Sequence, residues 1–157
     1  DKRKEVGIGE PHDGYSIAPP TSGAYWYDLE RPVPGVGVTS PAPWGKYETQ
    51  LPNEILVANL LHGGIGLHYD CSRIDKEAIS IDTGSETCDD LKNQLAELMP
   101  TNQFQYLMAP YSAFDEFPIM ITGWRHHLKL KEFDEEKITE FINAYQDRAP
   151  LSSFRGN

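Results

Sequence analysis

Cysteine is scarce in this chain. The two residues, Cys71 and Cys88, form neither a CxxC pair nor a metal-knuckle spacing. Dithiol redox chemistry of the thioredoxin type is therefore excluded. Long apolar runs are absent too, and nothing approaches the ~20 consecutive apolar residues of a membrane span. Positive charge is in short supply, with 14 Lys and Arg against 24 Asp and Glu and a net charge of −10. Such an acidic surface repels phosphate backbones, which argues against a nucleic-acid partner. No serine sits in a GxSxG elbow, and no base can be named for Ser22. The glycine pairs in GIG (7–9) and GGIG (63–66) lack both the strand–GxGxxG–helix setting and a Walker lysine. Internal repeats are absent. Length and composition describe one soluble globular domain of 157 residues, large enough to bury a core without staples.

The stretch that is best endowed is LVANLLHGGIGLHY, Leu56 to Tyr69, the longest apolar run. It reads as helix, Gly-Gly turn and buried strand, with the rest of the chain packed on it. Before it, residues 1–52 hold eight of the twelve prolines: Pro11, Pro19, Pro20, Pro32, Pro34, Pro41, Pro43 and Pro52. Proline removes a donor and restricts its predecessor, so long helices and central strands do not fit here. Tyr15, Tyr25, Trp26, Tyr27, Trp44 and Tyr47 stand in the same segment, and aromatics at that density need a surface to lie on. The expectation is a flexible lead over 1–14, a wrapping arm over 15–52, a core over 53–150 and a tail over 151–157. The basic cluster Lys2-Arg3-Lys4 is read as solvated, or as a stub beside a membrane anchor upstream of Asp1.

Beyond the arm the pattern is regular. A first helix is expected over 53–62 and a strand over Ile65–Tyr69. A second helix is expected over 86–99, started by Ser85 and Glu86, with Leu91, Leu95 and Leu98 on one face. Strands follow at Gln103–Ala109, Pro118–Thr122 and His127–Lys131. Asp134 caps a last helix whose face is Ile138, Phe141, Ile142 and Tyr145. The fold class is α+β: a single mixed sheet flanked by about three helices, with a long irregular arm. Its C-terminal order resembles that half of thioredoxin-like folds, and another α+β sheet with helices on one face is equally consistent. A disulfide between Cys71 and Cys88 would contribute about 3 kcal/mol in the chain-entropy model and imply an oxidising compartment. Two free thiols are the alternative.

Three blocks in order resemble a family known as domain of unknown function 3105. They are APPTSGAYW (18–26) with PAPWGKY (41–47), then LVANLLHGG (56–64), then MAPYSAFDEFPIMITGW (108–124) with FDEEKITEFINAYQDRAP closing the domain. The matching positions include Pro19, Pro20, Thr21, Ser22, Gly23, Trp44, Gly45, His62, Gly63, Gly64, Pro110 and Tyr111. Proteins of this kind look like single-anchor extracytoplasmic domains, and the resemblance implies no reaction. The family pattern offers histidines and a glutamate that would suit a divalent metal. Those positions here read Tyr25, Ala58, Leu61 and His62, so His62 alone survives, and a site needing three or four ligands cannot rest on it.

The remaining candidates are weighed one by one. His62, before two glycines, reads first as a helix C-terminal cap and second as a retained ligand. His68 reads as structural, and His126 with His127 as a poor chelate on opposite strand faces. His12, His62, His68 and Asp70 would have to converge to make a new metal site. Asp115, Glu116, Asp134, Glu135 and Glu136 read as loop and helix-start charges. Tyr25, Trp26, Tyr27 and Trp44 suit a protein partner, or sugar stacking, or the arm's own core. The expectation is a non-catalytic extracytoplasmic accessory subunit of a membrane-associated assembly. It needs no cofactor and binds other protein subunits. The alternatives are a metal-binding protein using His62 and a carbohydrate-binding module.

Overall fold

The computed structural model describes residues 2–74, 87–112 and 116–152. Ser85, Glu86 and Asp115, weighed above, lie outside these residues, as does the end of the tail. Two short strands open the chain, β1 (Lys4–Glu5) and β2 (Ala24–Tyr25), and they pair in parallel. Then come β3 (Gly45–Lys46), α1 (Asn53–Leu61) and β4 (Ile65–Tyr69). After a 3-10 turn at Cys71–Arg73 come α2 (Cys88–Ala96), β5 (Tyr106–Pro110), β6 (Ile119–Gly123), β7 (His126–Leu130) and α3 (Glu135–Tyr145).

The main sheet is mixed, in the order β3-β5-β4-β6-β7. β3, β5 and β4 run parallel, and β6 and β7 are antiparallel. β3, from the segment expected to be irregular, supplies the outer parallel strand.

Period-two alternation splits the sheet between two cores. Ile65, Leu67, Tyr69, Tyr106, Met108, Ile119 and Ile121 face α2 and α3 and meet Leu91, Leu95, Ile138 and Phe141. On the other face, Leu107, Ala109 and Met120 meet Ile55 and Leu56 of α1 together with Val33 and Ala42 of the arm. The far side of α1 is covered as well: Val57, Ala58, Leu60 and Leu61 pack with Tyr25, Trp124 and Ala149. A helix apolar on every side must be buried on every side. That is why every residue from Ile55 to Leu61 is buried.

Local chemistry sets the ends of these elements. Thr87 caps α2 by accepting from the Asp90 amide, and acids at Asp89 and Asp90 suit the first turn. The expected start at 86 therefore moves inward. Asp134 caps α3 through the Lys137 amide. β5 begins at Tyr106 rather than Gln103, because Gln103 and Gln105 adopt φ of 57° and 65°, which no strand accepts. A disulfide joins Cys71 to Cys88 across 5.3 Å between Cα atoms. It ties the end of β4 to the start of α2.

The lead expected to be flexible is tied down at several points. β1 pairs with β2, Val6 is buried, and His12 bonds Glu54 of α1 at 2.7 Å. The register lets Val6 donate to the Tyr25 carbonyl at 2.9 Å, which carries the small sheet one residue further.

Candidate functional site

The family-like motifs converge on α1, and most of their side chains build scaffold. Asn59, buried inside α1, accepts from the Ala42 amide and donates to the Ala42 carbonyl. That fixes the PAPWG loop. Gly64 follows the helix, and a Cβ there would come within 2.5 Å of the Trp44 ring. Gly63 has φ +92° and lies against Asp147, Gln105 and Ser152, so a side chain fails there on both counts. Tyr111 donates to the Asn53 side chain at the start of α1, at 2.7 Å. Pro19, Pro20, Thr21, Ser22 and Gly23 are buried, and the Thr21 carbonyl accepts from the Arg125 amide at the β6–β7 turn.

Between the PAPWG loop and the helix end lies a cavity of about 430 Å³. Its wall is mainly apolar, with Leu29, Pro41, Trp44, Phe104 and Leu151, and its polar side is Thr39, His62 and Gln105. His62 caps α1: its Nδ1 lies 2.9 Å from the Ala58 carbonyl, which can only accept. A proton therefore sits on Nδ1, and in the neutral ring Nε2 is the acceptor nitrogen. Tyr27 stacks on the His62 ring at 6.0 Å. Beneath, the Gln105 amide donates to Asp147 at 2.5 Å, and Asp147 donates its own N–H to the Gly63 carbonyl.

The five large apolar side chains exposed among the described residues are Ile8, Tyr27, Leu29, Phe104 and Leu151. Four of them gather here: Leu29, Phe104 and Leu151 line the cavity, and Tyr27 lies on His62. The aromatic cluster expected as one binding face is thereby divided. Tyr27 and Trp44 belong to the cavity. Tyr25 is buried in the core beside α1, and Trp26 is half-buried against the second core. Their side chains are directed inward because β2 and its flanks lie flat on α1.

The other histidines are dispersed. His68 is buried, with Nδ1 on the Ala109 carbonyl, and burial pushes its pKa down to about 4. His126 stacks on Tyr145 at 3.9 Å between ring centroids. Asp70 caps the 3-10 turn by accepting from Ser72. Among the described residues no group of three or more His, Cys, Asp or Glu is placed to hold a metal ion. Asp134 and Glu135 stand where α3 begins.

The order of these blocks is now matched by their arrangement around α1. A family model described as a protein of unknown function (DUF3105) matches residues 14–154. The chain belongs to the DUF3105 family. No curated protein and no solved structure matches it. Within this DUF3105 protein the PWG and HGG blocks meet at the cavity wall, whereas PPTSG and APY serve the packing of α1 and the neighbouring turn.

Sequence reasoning missed Leu29, Phe104, Gln105 and Leu151. By alternation Phe104 is expected as a strand residue in step with Tyr106 and Met108. The signal against that was Pro100-Thr101-Asn102, turn-forming chemistry immediately before it. Leu29 and Leu151 lie in irregular segments, where periodicity says nothing.

Proposed function

We propose that this DUF3105 protein is a non-catalytic, extracytoplasmic accessory subunit that docks another protein subunit in the cavity beside His62. The observation that carries this reading is the gathering of exposed Leu29, Phe104, Leu151 and Tyr27 around one concave, mainly apolar site. Exposed apolar side chains concentrated in one place mark an interaction surface more often than scattered ones do. The occupant that suits it is a partner's aliphatic or aromatic side chain. A hydrogen-bond donor beside that side chain would meet His62 Nε2. The disulfide supports an oxidising, extracytoplasmic setting, since such bonds persist there. No helix among the described residues is long and apolar enough to cross a membrane.

The test is native electrophoresis of a mild detergent extract from the source, with mass spectrometry of each band. The native chain should migrate in a complex, and Leu29→Asp and Phe104→Asp should release it to its own 17.7 kDa without lowering its melting temperature. A native chain that already runs alone at that mass would defeat the reading. A glycan screen on the same variants separates protein docking from sugar stacking on Tyr27 and Trp44.

A further inference from the structure

A second cavity, sharing no lining residue with the first, lies where the start of the chain meets the β6–β7 turn. Its volume is about 520 Å³, and Lys2, Thr21, Ser22, Arg125 and His127 are on its wall. Every titratable side chain on that wall, among the described residues, is basic. In a chain with 24 acidic against 14 basic residues, a wall holding Lys2, Arg125 and His127 and no carboxylate runs against composition. Two hydroxyl side chains of the PPTSG block, Thr21 and Ser22, are themselves buried at 7% and 4% exposure, yet reach this wall.

The backbone keeps these groups together. The Arg125 amide donates to the Thr21 carbonyl at 3.0 Å, so the turn bearing Arg125 is bolted to the loop bearing the hydroxyls. Lys4 donates to the Gly23 carbonyl at 3.2 Å, and that holds the segment after Lys2 against the same loop. Arg125 and His127 are two apart across the start of β7 and reach the same cavity. Arg125 lies 5.9 Å over the Trp124 ring, which orients the guanidinium but satisfies none of its donors. His127 is held below the usual histidine range by burial, then by Lys129 and His126; an anion would offset the last two.

We propose that this cavity binds a phosphate-type oxyanion, either the free ion or the headgroup of an anionic phospholipid. An Arg fork with a Lys point charge and hydroxyl donors is the donor set that recognises tetrahedral oxyanions. The cavity is larger than the bare ion and leaves room for the group a headgroup carries. The phosphate contact is to one group on a built wall, which differs from the backbone tracking that the acidic surface opposes.

The experiment titrates isotope-labelled protein with inorganic phosphate and follows backbone amides. In parallel, flotation compares vesicles of phosphatidylglycerol with vesicles of phosphatidylcholine. Saturable shifts at Thr21, Ser22, Arg125 and His127 are expected, or flotation with phosphatidylglycerol alone. The first outcome assigns the free ion and the second the headgroup. Arg125→Gln should weaken whichever binding is seen by about tenfold, the scale of one charge-assisted hydrogen bond. His127→Asn should weaken it less. Arg148→Gln makes the same charge change elsewhere and should leave it unaltered. Equal losses for Arg125→Gln and Arg148→Gln would reduce the effect to overall charge and overturn the proposal. So would the absence of both shifts and flotation in native protein of unchanged melting temperature.

Discussion

Asn59 holds Ala42 by both ends of one peptide residue: Oδ1 takes the Ala42 N–H at 2.8 Å, and Nδ2 gives to the Ala42 C=O at 2.9 Å. An asparagine buried in a helix mimics a strand partner here, and the PAPWG loop is the strand it serves.

Replacing Asn59 by Ala should therefore leave a buried donor and a buried acceptor without partners. Each costs about 1–3 kcal/mol when left unmade. The predicted loss is roughly 2–6 kcal/mol in a denaturant titration, with the slope unchanged. Asn59→Asp keeps the acceptor and loses the donor, so it should still destabilise the fold. An Ala variant as stable as the native protein would show that the bracket is not used.

Gly64 and Trp44 should behave as one unit. The Gly64→Ala methyl group meets the indole and also lies 2.9 Å from the Asn59 carbonyl. Gly64→Ala is expected to cost about 1–3 kcal/mol through overpacking. Trp44→Leu should cost stability by itself, yet part of the Gly64→Ala penalty should vanish in the double variant. A double-mutant cycle reads that coupling, and strict additivity would contradict the contact.

Acid and alkali should loosen the protein through different histidines. His12 faces two acceptors, the Glu54 carboxylate and the Asp13 carbonyl, so its charged form suits both and its pKa is raised, chiefly by the Glu54 hydrogen bond. That stabilisation is fully present below the unfolded value of about 6.5 and is lost as pH rises through the higher folded value. His68 is the reverse. Its folded pKa is depressed to about 4 by burial, so stability is lost as pH falls from about 6.5 toward that value. The size is on the order of 3 kcal/mol. Denaturant midpoints from pH 4.5 to 9 should fall at both ends. His12→Asn should flatten the alkaline side, and His68→Gln should reduce the acid slope. Profiles identical to native in both variants would refute the assignment.

The Cys71–Cys88 bond closes a loop of sequence separation 17. Cys71→Ser with Cys88→Ser should cost about 2–4 kcal/mol. Thiol labelling of native protein should require prior reduction, and labelling without it would contradict the bond.

Much of the fold was legible because it obeys period. The α3 face Ile138, Phe141, Ile142 and the strand Ile65–Tyr69 announce themselves by spacing or by continuous apolarity. The α+β class with one mixed sheet followed from the sequence of elements. What was not legible came from long-range contacts. Gly45-Lys46 joins the sheet as β3 only because β5 lies beside it. Tyr25 and Trp26 look identical to Tyr27 and Trp44 as letters, and only their placement on α1 tells core from surface. The cavity escaped notice for the same reason, since Leu29, His62, Phe104 and Leu151 are spread over 122 positions and share no local pattern.

The cover over α1 bears on the order of assembly. The first third of the chain finds its partners late: β3 needs β5, and the PPTSG loop needs the Arg125 amide, about a hundred residues further on. During synthesis β3 has no sheet to join until β5 has been made, and the PPTSG loop lacks its Arg125 contact until the β6–β7 turn follows. Helix α1, apolar on every side, meets Tyr25, Val33 and Ala42 early, but its contacts with Met120 and Trp124 wait for the same interval. Contacts of such long sequence separation slow folding. The interval is also when exposed apolar surface invites aggregation. A chain cut short before the β6–β7 turn would keep the Asn59–Ala42 bracket between arm and helix, and would leave other faces of that helix without their cover.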